Sequence, residues 1–397
     1  MNVDTLIEKD VSSLTKEEAI VLSEHYDTLS RKYTAYEQAV KVTLNSIYGA
    51  FGNKWFHFFN IDIAESITLQ GQGAILYSEE RLNLYFNKLW HKDVKVHEHF
   101  NIKVAQVKKP SVIYIDTDSC YVQFEEMYES IEWLGEKLTI DHFIMQLYKI
   151  RLTGFIQNSM EKYSTDLNTA NHLFFDLETI SYSGIWLSKK KYLQDIAWFD
   201  MLDEDDRFDS LSKIKTVGFD IIQSSTPAVA RKQLTKAVEI LLSEKPTAST
   251  IAKLVEFLKK SKKEFKLADI DEVCFNRRTN NINKYVIDDT DQLQLALKCP
   301  ANVRAAGFYN YLLNNNPKYK SKYKLNSNGE KLKIYHTNHN ISDLFAYQSG
   351  EHPYEFAPPV DYEIQFEKSV IDPINRILIV LGLQTLNRNL IYSTSLF

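Results

Sequence analysis

The sequence predicts an α+β protein of two or three domains, on three observations. Long stretches without Gly or Pro repeat apolar residues every three or four positions, and separate shorter runs alternate as strands do. In 397 residues, 12 Gly and 9 Pro stand against 23 Tyr and 22 Phe, a balance of few chain breaks and much ring surface that calls for long elements and large cores. With 44% hydrophobic and 25% charged residues, the chain has the make-up of a folded, water-soluble protein, which excludes a disordered tail or a fibre.

Each element follows in order. Thr15, with Glu18 three residues on, forms a capping box, and 15–48 then reads as one long helix ended by Gly49 and Gly52. Its apolar stripe, from Leu22 through Tyr26, Leu29, Tyr33, Tyr36 and Val40 to Leu44, demands a partner element such as an antiparallel helix. An aromatic segment at 55–59 leads into a second helix over 62–89. Two β runs, 104–107 and 111–124, are expected to pair as a hairpin, the second bent around Asp116 to Ser119. Helical patterns at 131–147 and 150–163 precede a β-rich stretch over 173–198 and an acidic, turn-rich loop at 203–209. Beyond a boundary near Ser212, 227–243 and 247–266 read as helices, the Lys/Asn-rich segment 314–333 as an exposed loop, and 370–383 as an apolar helix. There is no internal repeat.

Cys120, Cys274 and Cys299 are an odd number at wide spacing, neither a disulfide framework nor a zinc grip, and fit a reducing cytoplasm. The N-terminal residues carry acids where a signal peptide carries basic groups, and no apolar run reaches the length of a membrane span. A net charge of −5 argues against a wholly basic surface but leaves room for basic groups concentrated on one face.

Four features could carry chemistry. Asp116 and Asp118 lie two apart inside an apolar β pattern, Tyr114 to Val122, and would project from one face at a strand turn. A hard divalent cation such as Mg²⁺ takes carboxylates of this kind and keeps positions for water and phosphate oxygens. A bare Asp-x-Asp pair is more often a solvated hairpin tip, a reading the apolar flanks weaken. Lys41, Asn45 and Tyr48, at i, i+4 and i+7, share one helix face. A cation, an amide and a ring so placed can hold a triphosphate and a base pair, with Gly49 allowing close approach; an ordinary exposed face is the plain alternative. Lys189-Lys190-Lys191-Tyr192 places consecutive ammonium groups in a β pattern with Tyr182 and Trp186, which reads as a charged strand edge or as phosphate contact. Gln223-Ser224-Ser225-Thr226-Pro227 opens a helix, where hydroxyls serve as caps or as phosphate ligands.

Read together and in order, these segments resemble the C-terminal half of a family B DNA polymerase of the replicative type found in T-even-like bacteriophages. Lys41-Val-Thr-Leu-Asn45-Ser46-Ile-Tyr48-Gly49 is similar to the fingers helix signature, Tyr114 to Ser119 to the Tyr-x-Asp-Thr-Asp-Ser palm hairpin, and Lys189 to Tyr192 to the Lys-Lys-x-Tyr strand. Gln223 to Pro227, Asn280-Asn281 with Lys284-Tyr285, and Lys298-Cys299-Pro300 with Arg304 resemble the phage thumb. The resemblance covers nearly the whole chain, weakly over 125–171 and after Asn314.

The resemblance implies a polymerase palm, an antiparallel sheet with helices, at 54–213. It also implies part of a helical fingers hairpin at 1–53 and a mainly helical thumb with a C-terminal tail at 214–397. It implies that Lys41 binds the incoming deoxynucleoside triphosphate, Asn45 flanks it, and Tyr48 packs beneath the nascent base pair. Asp118, with Asp116 beside it, becomes the catalytic metal ligand, and Glu178, in Phe175-Asp176-Leu177-Glu178, a third candidate acid. Lys189, Lys190 and Tyr192 would hold the primer strand, and Ser224, Ser225, Thr226, Lys284 and Arg304 the duplex. Leu396 and Phe397 would anchor the tail on a sliding clamp, although a frayed terminus reads equally well.

These 397 residues contain no Asp-x-x-Ser-Leu-Tyr-Pro-Ser strand, which supplies the family's second catalytic aspartate, and none of its exonuclease acids. The expectation is therefore a split polymerase acting on primer-template DNA with two Mg²⁺ ions, shared with a partner chain that carries the missing strand and the 3′-5′ exonuclease, in a host cytoplasm and away from membranes. A truncated polypeptide is the alternative origin. The alternative functions are a non-catalytic subunit gripping primer-template, which would need neither the Asp pair nor the Lys41 face, and a clamp adaptor, which would leave most of the chain unexplained.

Overall fold

The computed structural model describes residues 3–7, 9–200, 202, 213–243 and 245–387. Helices and small antiparallel sheets make up two compact units, one of residues 1–132 and 154–174, the other of 133–153 and 175–397, consistent with an α+β class.

In the first unit, helix α1 (Lys16–Phe51) starts where the sequence placed it. The Thr15 hydroxyl accepts from the Glu18 amide at 3.3 Å, and the Glu18 carboxylate accepts from the Thr15 amide at 3.0 Å. The helix runs through Gly49 and stops only at Gly52, because an isolated glycine costs a helix less than its continuing hydrogen bonds return. None of its 36 residues is buried. Tyr33, Val40 and Leu44 are each about 60% exposed, so the expected partner element does not cover the stripe among the described residues.

Asn60 caps helix α2 (Ile61–Leu84) by accepting from the Ile63 amide at 3.1 Å. Its buried face, Ala64, Ala74, Ile75, Ser78 and Leu82, leads to the fully enclosed Tyr85, Phe86 and Trp90 in the turns that follow. Gly73 gives the Tyr163 ring of the later helix room to approach, since a methyl there would lie 2.5 Å from its hydroxyl. Strands β1 (Val112–Asp116) and β2 (Ser119–Val122) form a two-stranded antiparallel ribbon. The expected pairing of 104–107 with this run is not found. The ribbon closes on itself, and the earlier strand, Ile102–Val104, lies outside that sheet. The Asn83 side chain fastens the ribbon to α2, its carbonyl accepting from the Ser111 and Val112 amides at 2.9 and 3.0 Å.

The helix expected over 131–147 also needs correction. Ile131–Trp133 is extended, and helix α3 (Ile140–Leu147) begins only after Thr139, because Gly135 breaks the run and a short apolar stretch fits either period. Helix α4 (Thr153–Asp166) stacks Arg81 of α2 over its Phe155 ring at 5.4 Å.

In the second unit, β3 (Thr179–Ser188), β4 (Lys191–Phe199) and β5 (Ile214–Val217) form an antiparallel sheet with β4 in the centre, buried from Tyr192 to Trp198. One core gathers Leu193 with helices α5 (Ala228–Leu242) and α6 (Ala248–Leu267); α7 (Ala301–Asn314) contributes nothing to it, and α8 (Asp372–Val380) closes it. A second sheet, β6 (Phe275–Arg278), β7 (Lys331–His336) and β8 (Leu344–Gln348), with β7 central, packs against α7 through Phe308, Tyr335, Phe345 and Tyr347. The segment 314–333 is less exposed than expected. Tyr323 and Asn326 are buried, Asn326 through bonds with Asn310 and the Ala346 carbonyl, and 331–333 belongs to β7. The acidic loop 203–209 and the boundary near Ser212 lie outside the described residues.

This second sheet should sense acid. Burial lowers the pKa of His336 and of His352 from the ordinary 6.5, so protonation favours the unfolded chain. Burial alone would raise Asp271, but hydrogen bonds from Tyr347, Gly350 and Ser349, with the charge of Lys333, outweigh it and hold the carboxyl below its usual range. The histidine contribution is thus full above pH 6.5 and lost as pH falls below it, and that of Asp271 is lost only below about pH 4. Thermal melts should show a midpoint flat from pH 8 to 7 and falling in those two stages. A midpoint flat down to pH 5 would contradict the histidine stage.

Candidate functional site

Two groups of candidate residues belong to the first unit. Lys41, Asn45 and Tyr48 are all exposed on α1, one above another over about 10 Å of helix. Neighbouring hydroxyls are turned back on the helix, Thr43 to the Ala39 carbonyl at 2.8 Å and Ser46 to Val42 at 2.6 Å. Lys41 has no ion-pair partner among the described residues. The Tyr48 hydroxyl meets the Thr68 hydroxyl of α2 at 3.0 Å, which steadies the ring while leaving it 44% exposed. A Cβ on Gly49 would meet nothing within 4 Å, so the space beside the ring is open.

The second group is the tip of the β1–β2 ribbon. Asp116 pairs in register with Ser119, Thr117 adopts φ 55°, and the Asp118 amide donates to the Asp116 carbonyl at 2.6 Å. Asp116 is half-buried and Asp118 exposed. Each accepts from the hydroxyl that follows it, Asp116 from Thr117 at 3.1 Å and Asp118 from Ser119 at 3.4 Å. Cys120 is a poor nucleophile, because burial, aided by the charge of Glu79, pushes its thiol up to about 12.

As to a metal, the Asp116 and Asp118 carboxylates are hard oxygen donors of the type Mg²⁺ takes, and two of them suffice when water and phosphate complete the shell. Among the described residues no group of three or more His, Cys, Asp or Glu gathers around them. The donor chemistry fits.

The remaining candidates belong to the second unit. Glu178 is exposed and salt-bridged to Lys215 of β5 at 3.0 Å, and Asp176 accepts from the Tyr148 hydroxyl at 3.4 Å. Lys189 and Lys190 form the turn between β3 and β4, both exposed, with Lys190 at φ 59°. Tyr192 is buried to 6% and stacked on Trp186, ring centroids 6.4 Å apart, so packing already occupies much of it. Helix α5 takes Pro227 as its N-cap with no side-chain cap bond, so the capping reading of 224–226 fails there. Asn276 of β6 grips that segment instead, through the Ser224 and Ser225 carbonyls at 3.1 and 3.0 Å, with the Ser224 side chain left exposed and Thr226 buried. Lys284 is exposed beside the Tyr285 ring, whereas Arg304 is committed to Asp343 at 2.8 Å. Leu396 and Phe397 lie outside the described residues.

Sequence reasoning missed Gly218. It sits at φ +63°, and a Cβ there would lie 2.1 Å from the Lys190 carbonyl, so only glycine permits the approach that seats the lysine turn. A lone Gly just after a strand was the available signal. Lys215 and Asn83 were also missed, since their partners are distant in sequence.

Helices with small antiparallel sheets thus carry a helix face with Lys41, Asn45 and Tyr48 and a two-carboxylate ribbon tip in the same unit. Residues 20–152 match the family model of DNA polymerase family B, a span that includes Lys41, Asn45, Tyr48, Asp116 and Asp118. The DNA-directed DNA polymerase of Enterobacteria phage T4 is 27% identical over 280 residues, 68% of this chain and 28% of that protein. That of Escherichia phage RB69 is 26% identical over 290 residues, 70% and 29%, and a DNA polymerase of Paramecium bursaria Chlorella virus NY2A is 23% identical over 229 residues, 57% and 20%. The chain thus spans under a third of the length of these relatives. Among the described residues no helix is long and apolar enough to cross a membrane.

Proposed function

We propose that this chain supplies the nucleotide-binding helix and one carboxylate-bearing ribbon of a DNA-directed DNA polymerase that extends a primer 3′-hydroxyl on a template. The observation that supports this best is that the family B match spans both the Lys41-Asn45-Tyr48 face and the Asp116/Asp118 tip, which share one unit. The second catalytic aspartate and the 3′-5′ exonuclease lie outside these residues and come, in this reading, from a separate polypeptide. Residues 1–53 would serve as the fingers arm, 54–213 as palm and 214–397 as thumb, with the tail, Leu396 and Phe397, engaging a sliding clamp.

Asp118 and Asp116 would hold Mg²⁺, which when bound stabilises charge on the attacking and leaving oxygens of phosphoryl transfer. Lys41 neutralises the triphosphate and the pyrophosphate that departs, as a compact charge can do for phosphates that move. Asn45 flanks the nucleotide, and Tyr48, steadied by Thr68, offers a flat surface against the new base pair. Lys189 and Lys190 hold the primer strand with the packed Tyr192 behind them, and Ser224, Ser225 and Lys284 touch duplex phosphates, contacts that position DNA without reading its sequence; Thr226, which is buried, would join them only if that segment opened. Arg304 would join them only by releasing Asp343, and Glu178 would become a metal ligand only by releasing Lys215. Glu178→Gln is therefore expected to cost less than about 1 kcal/mol of stability and to slow synthesis far less than a change at Asp118. Stability and extension rates of that variant check both points, and a loss of synthesis as deep as that of Asp118→Asn would make Glu178 a metal ligand.

The test of the nucleotide face is photo-crosslinking of an azido-deoxynucleoside triphosphate to the chain. Lys41→Gln should weaken capture about 10- to 100-fold, the worth of a charge-assisted hydrogen bond. Unchanged capture would remove Lys41 from the site.

A further inference from the structure

We infer that helix α6 presents a second surface for the phosphate backbone of nucleic acid, apart from the residues assigned above. The inference rests on the reading that this chain works on DNA. Between Ala228 and Leu267, ten Lys and Arg stand against four Asp and Glu, in a chain whose net charge is −5. The charge is therefore concentrated on the α5–α6 pair.

Helix α6 buries Leu254, Leu258, Ser261 and Phe265 on one face. Lys259, Lys263 and Lys266 follow one another at i, i+4 and i+7 on another side of the helix, with Lys260 beside them. Like charges at these spacings each cost a helix a few tenths of a kcal/mol, an expense that an anion laid along the ridge would relieve. Counter-charges in the chain do not relieve it fully. Glu363 takes Lys262 at 2.7 Å and Lys266 at 2.5 Å, Glu264 reaches Lys260 only at 3.9 Å, and Lys259 and Lys263 have no ion-pair partner among the described residues.

The chemistry of the ridge selects a polyanion over an acidic protein. A protein partner needs apolar anchors at the centre of its contact, and the one large apolar side chain of α6 that is exposed, Leu267, stands at the helix end. A repeating phosphate chain needs only spaced cations.

The test is fluorescence anisotropy of the full chain with a labelled 20-mer, as duplex and as single strand, at several salt concentrations. The triple variant Lys259→Gln, Lys260→Gln, Lys263→Gln should bind roughly tenfold more weakly at low salt and lose about two to three from the log–log salt slope. A control, Lys88→Gln, Lys92→Gln, Lys95→Gln, removes the same charge from exposed lysines elsewhere and should keep the slope. Circular dichroism checks that each variant folds; if the triple variant does not, Lys263→Gln alone should still lower the slope by about one. Equal slopes for the ridge variants and the unaltered chain on both probes overturn the inference. An unaltered chain that binds neither probe overturns the polymerase reading along with it, so the two failures are distinct.

Discussion

Asp118→Asn should reduce primer extension by on the order of 10³-fold, the equivalent of about 4 kcal/mol in the barrier, once the chain is supplied with the missing catalytic strand. The substitution keeps the shape of the side chain and its bond from Ser119 but removes the anionic oxygen that a divalent ion requires. Because Asp118 is exposed at a ribbon tip, the fold should not notice the change. DNA binding should be unchanged or slightly tighter, since a carboxylate near phosphates repels them. Extension at the normal rate would strip Asp118 of its role, and loss of DNA binding alongside extension would make the ribbon a structural element. The same experiment separates catalysis from a subunit that only grips primer-template, for which Asp118 would be dispensable.

Gly218→Val should lower stability by about 3 kcal/mol, from the cost of a side chain in the left-handed region plus a steric collision. The collision is with backbone: a Cβ would lie 2.1 Å from the Lys190 carbonyl oxygen, which cannot swing aside as a side chain could. To relieve it, the turn carrying Lys189 and Lys190 must move away from the end of β5, so the variant should also bind DNA more weakly. Chemical denaturation followed by fluorescence checks the first effect and anisotropy the second. A midpoint equal to that of the unaltered chain would mean the turn is not held as the structure has it.

What the sequence conveyed was mostly local. The start of α1 was legible because the Thr15–Glu18 box is a four-residue event, and the bend at Asp116 to Ser119 was legible as a polar run between apolar flanks, although its two arms pair with each other and not with 104–107. The helix expected over 62–89 was legible from its apolar period and is found at Ile61–Leu84, continued by a wider helical turn over Tyr85–Leu89. The errors lie where the outcome depends on distant partners. Ile131–Trp133 reads as helix until the distant strand Ile102–Val104 is seen to pair with it, and the 314–333 segment reads as solvated until Asn310 and Ala346 are seen to take up Asn326.

The site divides in the same way. Lys41, Asn45 and Tyr48 share a face because helix geometry alone decides it, whereas the ties of Arg304 to Asp343 and of Glu178 to Lys215 span folds of chain that no spacing rule reaches. In the proposed function those ties matter, since each occupies a charged group that would otherwise be offered to phosphate or metal. The uncovered stripe of α1 is the opposite case: its period was evident, and no element among the described residues buries any of its 36 residues.

The measurement that bears most directly on the central claim is primer extension with Mg²⁺ and all four deoxynucleotides. It compares this chain alone with this chain mixed with a polypeptide carrying the missing aspartate strand and the exonuclease. The account predicts no synthesis by the chain alone and template-directed synthesis by the mixture, abolished by Asp118→Asn. Synthesis by the chain alone would mean that its own residues complete the metal site, and no synthesis in the mixture would contradict the assignment of this chain as part of a polymerase active site.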